Sequence, residues 1–295
     1  MVIGEALSLV RREGGDRLRR ALAGDERLKP EELANKDDQG LFGPASVAWR
    51  VHGDSAMLIG GLRALMLQTL HPLAMAGVSD HSDYRSDPWG RLHRTGRFIG
   101  ATTYGSTEVA EQLIARVKAV HNRVEGTAPD GRPYSANDPH LLLWVHITEV
   151  DSFLAAYNRY GSGKLTDAEQ DRYVAEMATT AERLGAENVP RTKAELRATL
   201  REFQSECSFD DQAQECVRFL LLPPVPLAAR GAYGLISAAS IGLLPSWAQH
   251  MLRLPVPPGV DPLAIRPAAT VLMRTIGWLM SEARSEDLAD RMLVD

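Results

Sequence analysis

The chain has 295 residues, 44% hydrophobic and 24% charged, with a formal net charge of -5 and a pI near 5.9. That balance excludes a largely disordered chain. Without clustered Lys and Arg it also excludes a nucleic-acid partner, because neutralising phosphates needs a basic face. Two cysteines, Cys207 and Cys216, are too few for a zinc or iron–sulfur set and leave a disulfide unsupported.

Residues 1–22 carry Arg11, Arg12, Arg17, Arg19 and Arg20 among Glu13 and Asp16, with no apolar core of signal-peptide length. They predict an amphipathic helix in a cytoplasmic protein. Asp54 predicts the N-cap of a helix running through Ala56, Leu58, Leu62, Leu65, Met66 and Leu70, apolar nearly all round and therefore central. His71-Pro72 interrupts it, since proline has no N–H and crowds the preceding turn. Asp87-Pro88 opens a helix expected to reach about Ile99. Residues 106–124 predict another, with Val109, Leu113, Val117, Val120 and Val124 as its buried stripe. Asp130-Gly131 and Pro133 mark a turn, and Asn137-Asp138-Pro139 opens a strongly apolar helix to about Tyr160.

Capping boxes at Thr166–Glu169 and Thr192–Glu195 start two more helices, and a further one is expected near 210–222, before Pro223-Pro224-Val225-Pro226. The uncharged stretch 231–247, broken by glycines and Pro245, reads as a buried or interfacial helix and leaves peripheral membrane contact open. A last helix is expected over 268–286. With no linker and no repeat, the whole chain, 1–295, is expected to form one all-α domain.

Several polar groups fall where apolar ones would suffice. His121 stands beside the stripe of 106–124, where a single hydrogen bond or axial ligation of a haem iron would satisfy it. Arg91 and Thr95, four apart, share a helix face with Arg94 adjacent, which suits either solvation and ion pairing or a haem propionate. His146 and Glu149, with Asp151 close behind, predict a buried hydrogen-bonded network or, with His121 or His71, a non-haem metal site. His71 ends the central helix and suits a cap as well as a ligand. His52, His140 and His250 occupy helix-end or polar settings that support no functional role by themselves.

Taken in order, Gly53-Asp-Ser-Ala-Met-Leu58, His71-Pro72 with Gly77, His81-Ser-Asp83, Asp87-Pro88 with Gly90-Arg-Leu92, Arg94-Thr95, Val120-His121 and Tyr134-Ser-x-Asn-Asp138-Pro139 resemble one family. It is the bacterial family that shares the catalytic domain of latex-clearing proteins, the rubber oxygenases, and of the fungal oxygenase of mycophenolic acid biosynthesis. The likeness is strongest over 47–200. It implies a globin-like helical core with extra helices, and a b-type haem held by one proximal histidine, at the position of His121. An Arg-x-x-Lys-Thr motif over the haem would fall on Arg91, Arg94 and Thr95, and Asp80 and Asp83 are candidates for a distal base. The chain departs from the motif at the lysine, because a guanidinium stays protonated and does not ligate iron as an amine can. The resemblance thus implies a haem b oxygenase using dioxygen on a small lipophilic, isoprenoid or lipid-like substrate. It leaves open a non-catalytic haem or lipophilic-ligand binding protein and a non-haem metal oxygenase.

Overall fold

A computed structural model describes residues 13–15, 28–254, 256 and 259–292, with side chains placed as far as residue 281 except at Pro262. The described residues are helical almost throughout, as an all-α chain should be. In chain order the helices are α1 (Val47–His52), α2 (Met57–Gln68), α3 (Pro72–His81), α4 (Pro88–Tyr104) and α5 (Thr107–His121). A small hairpin follows, in which β1 (Glu125–Thr127) pairs antiparallel with β2 (Pro133–Ser135), Gly126 opposite Tyr134. Then come α6 (Pro139–Tyr160), α7 (Asp167–Leu184), α8 (Lys193–Glu202) with a 3-10 turn (Phe203–Glu206), and α9 (Asp211–Leu221). The chain continues with α10 (Leu227–Leu243), α11 (Ser246–Met251) and α12 (Arg266–Met292).

The centre of the molecule is the crossing of α2 and α6. Leu62, Met66, Leu67 and Leu70 of α2 pack with Trp144, Ile147, Val150 and Phe153 of α6 in one buried cluster. Close approach is possible because Gly60 has no side chain; a Cβ there would stand 2.9 Å from Phe153 Cδ1 and 3.2 Å from Ala156 Cβ. Arg63, 3% exposed, interrupts the apolar surface of α2. Its guanidinium donates to Asp151 Oδ2 at 2.6 Å, Ser152 Oγ at 2.6 Å and the Leu243 carbonyl at 2.9 Å, so one side chain joins α2, α6 and the end of α10. Ser240 adds a second tie by donating to the Ile59 carbonyl at 3.0 Å.

Several expected boundaries shift for identifiable reasons. Asp54 does not cap α2 as foreseen: its carboxylate accepts from Ala56 N and Ser162 N, both at 2.8 Å, and α2 begins only at Met57. Helix α4 runs five residues past Ile99 to Tyr104, where Gly105 ends it in extended backbone. Helix α12 starts at Arg266 and reaches Met292, longer than expected. The uncharged stretch becomes α10, which buries only Ser237, Ala239 and Ser240, followed by the short α11. Among the described residues no helix is long and apolar enough to cross a membrane. Both cysteines are free. The helix foreseen over 1–22 lies outside the described residues except for the helical 13–15.

Replacing Arg63 by Met should leave the Asp151 carboxylate charged and unpaired beside the core and destabilise the fold by about 3–5 kcal/mol. The double variant Arg63→Met/Asp151→Leu should recover most of that loss. Urea unfolding of the two variants and wild type checks both; equal loss in single and double variants would contradict the pairing.

Candidate functional site

A polar network sits inside the helical stack. His52, the last residue of α1, meets Thr103 Oγ1 through Nδ1 at 2.7 Å and the Tyr173 hydroxyl through Nε2 at 3.0 Å. Its ring also packs edge-on against Phe153 of α6, centroids 5.3 Å apart. Burial alone lowers the His52 imidazole to about 4, so it is neutral at physiological pH. Tyr173, wholly buried on α7, lies close enough to Glu149 of α6 that the carboxylate helps hold its hydroxyl protonated.

His146 and Glu149 are three apart on α6 and share its face. Desolvation lowers His146 to about 4 and raises Glu149 to about 7. Yet both side chains are only partly covered. The hydrogen-bonded network expected of them does not form: Asp151 goes to Arg63, His146 Nε2 is buried without a partner, and Glu149 accepts no hydrogen bond among the described residues.

The neighbouring helices each leave an apolar stripe uncovered on the same scale. On α2, Met57, Gly61, Leu65 and Gln68 repeat at helical spacing and are all part-exposed. On α4 the stripe is Trp89, Leu92, Gly96 and Gly100, with Trp89 40% and Leu92 41% exposed, and it ends at the buried Thr103. A Cβ added at Gly61, Gly96 or Gly100 would meet nothing within 4 Å. Thr103 closes the α4 stripe on His52, which places it on the side of the molecule where Glu149 lies. On α5 the foreseen buried stripe is not buried: Val109, Leu113, Val117 and Val124 are part-exposed and Val120 is 44% exposed, whereas Ala110 and Ile114 are covered. On α6 itself Val145 is 39% exposed. Part-exposed apolar positions thus recur on α2, α4, α5 and α6.

A domain matching residues 49–278 is that described as ER-bound oxygenase mpaB/B'/rubber oxygenase, catalytic domain. The chain belongs to this oxygenase family. Searches of curated proteins and of solved structures return no match.

In this oxygenase-family chain the residues singled out from sequence are dispersed. His121 ends α5 with Nδ1 buried and unpartnered, and burial lowers its pKa. Arg91 turns toward α9, its guanidinium 6.0 Å from the Tyr84 ring centroid and near Cys216, where burial lowers its pKa. Arg94 pairs with Asp87 at 3.2 Å on the surface, and Thr95 is exposed. No contact among the described residues joins His121 to Arg91, Arg94 or Thr95. Asp80 accepts from the Tyr134 hydroxyl at 2.6 Å beside the hairpin, and Asp83 is exposed. His71 joins neither His146 nor Glu149; it meets His140 and Glu206 instead. Sequence reasoning overlooked His52 and Tyr173, whose partnership spans three helices and leaves no local signature.

Glu149 makes the stability of the chain pH-dependent with a definite sign. Its folded pKa of about 7 exceeds the ordinary 4.5, so between those values the folded state keeps a proton that the unfolded state has lost. Stability therefore falls as pH rises through that window. Glu149→Gln should be the more stable form at pH 8 by roughly 2 kcal/mol, after allowance for its partial cover, with no difference near pH 4. His52 and His146 have the opposite slope, losing stability as pH falls from 6.5 toward about 4, and the substitution leaves that limb in place. Thermal melts of both proteins across pH 4–8 test it; a constant offset would contradict the assignment.

Proposed function

We propose that the chain is a haem b-dependent oxygenase that adds dioxygen to a small, apolar, isoprenoid- or lipid-like substrate. The observation that carries this reading is the match of residues 49–278 to the oxygenase catalytic domain, supported by buried imidazole nitrogens without hydrogen-bond partners at His121 and His146. The donors fit the group: an axial ligand must be a neutral imidazole, and burial keeps His121 in that state.

In this reading His121 would hold the haem iron, and Arg91 and Thr95 would bind the haem's carboxylates if the α4 segment turns toward it. Arg94 is excluded from iron ligation by its permanent charge and is engaged with Asp87. Haem, when bound, supplies the activation of dioxygen. The apolar faces exclude water and align the substrate. Glu149, held near neutrality by burial, is the group suited to take a proton from substrate at its carboxylate oxygen. Burial keeps the His52 and His146 imidazoles neutral at physiological pH, which suits an apolar ligand.

Protein produced with haem precursor should show a Soret band that His121→Ala loses, while Glu149→Gln keeps the band and loses at least about tenfold in dioxygen uptake with an unsaturated substrate. Undiminished haem binding in His121→Ala would overturn the axial assignment. A Soret band with no uptake across a panel of unsaturated lipids and isoprenoids would favour a haem or lipophilic-ligand carrier.

A further inference from the structure

Apart from His52, His146 and Glu149, a second group of titratable side chains gathers where α3 begins. His71 precedes α3, His140 lies at the start of α6, and Glu206 closes the 3-10 turn after α8. Their ligand atoms all lie within 4.8 Å of one another, the one such trio of His, Cys, Asp or Glu among the described residues. His140 Nε2 is 2.9 Å from Glu206 Oε2, and His71 Nε2 is 3.4 Å from the same oxygen.

From this geometry we infer a divalent transition-metal site of the zinc class, formed by His71 Nε2, His140 Nε2 and the Glu206 carboxylate. Bonds of about 2.0–2.2 Å from one ion to N and O ligands put those ligands about 3.0–3.5 Å apart, the spacing of His71 and Glu206 here. Two imidazoles and a carboxylate are the donor set that zinc and its neighbours select, and three protein ligands leave a coordination position for water.

Three features separate this trio from a chance surface cluster. His71 is fully buried, and its Nε2 makes no hydrogen bond although it points at the carboxylate. A buried donor atom without a hydrogen bond of its own, aimed at two other ligands, is a group that a bound ion would satisfy. The scaffold holds the parts in register: Ser208 N donates to the Leu70 carbonyl at 2.8 Å, which ties the Glu206 turn to the residue before His71. The His140 ring stacks on buried Phe203, centroids 4.3 Å apart and planes 21° apart. His140 and Glu206 are part-exposed, side chains 50% and 37%, so the ion has an entry path while His71 forms the floor.

Two neighbours bear on the chemistry. Arg132 approaches the trio, but its charge is answered by Asp130 at 2.7 Å. His71 Nδ1 faces the Ala74 amide at 3.5 Å, the outer limit of a hydrogen bond. Coordination through Nε2 moves the ring proton to Nδ1 and gives up that long contact in exchange for the metal bond.

The test uses the full-length protein, dialysed against chelator and titrated with Zn(II) by calorimetry, with elemental analysis of the recovered sample. We expect one equivalent bound, a raised melting temperature, and a loss of at least about tenfold in affinity in each of His140→Ala and Glu206→Gln, since each removes one ligand of three. Both substitutions are at part-exposed positions, so folding does not confound them. His71→Asn, which keeps an acceptor for the Ala74 amide but cannot reach the ion, should lose binding as well, whereas His250→Ala should not. Absence of binding in wild type, or unchanged stoichiometry and affinity in His140→Ala and Glu206→Gln, would overturn the site and leave a hydrogen-bonded trio.

Discussion

The buried Arg63 constrains the rest of the structure. A guanidinium sealed from water needs hydrogen-bond partners, and each of its three nitrogens donates to one, the Leu243 carbonyl, Ser152 or Asp151, on two other helices. Its fan of bonds fixes the rotation of α2 against α6 and anchors the end of α10. With Gly60 pressed on Phe153, the contact leaves α2 no freedom to turn its remaining stripe inward. Met57, Gly61, Leu65 and Gln68 therefore stay part-exposed on the opposite face.

The electrostatics of the interior follow from burial. Low-dielectric surroundings favour neutral forms, which depresses His52 and His146 and raises Glu149. A core histidine with no partner, as His146 is, costs stability that a leucine would not. Such a cost is tolerated where the group serves a ligand, and it accompanies open glycine faces on two neighbouring helices. The same helix, α6, carries His140 near its first turn, about 9 Å along the axis from His146 at 1.5 Å per residue. One rigid element thus supports both the oxygenase interior and the trio with His71 and Glu206.

Much of the fold was legible beforehand. The caps at Thr166 and Thr192, the proline-led starts at Pro72, Pro88 and Pro139, and the turn at Asp130-Gly131 all act locally, within four residues. Asp54 misled because its carboxylate had a distant competitor, the Ser162 amide, brought close only by folding. The stripe of α5 was correct as a pattern and wrong as burial, since periodicity tells which side is apolar but not whether anything covers it.

The ordered motifs determined the family, and the helical spacing determined the class, because both depend on residues near one another in the chain. Only the tertiary structure decided which polar side chains meet. His71 was paired in expectation with His146 and Glu149, but it lies with His140 and Glu206, 69 and 135 positions further along. His52, unremarkable in the sequence, proved to bridge Thr103 and Tyr173. The physical reason is that a site is made of contacts between helices, and those are set by how Gly60, Arg63 and the apolar faces pack, not by any spacing along the chain.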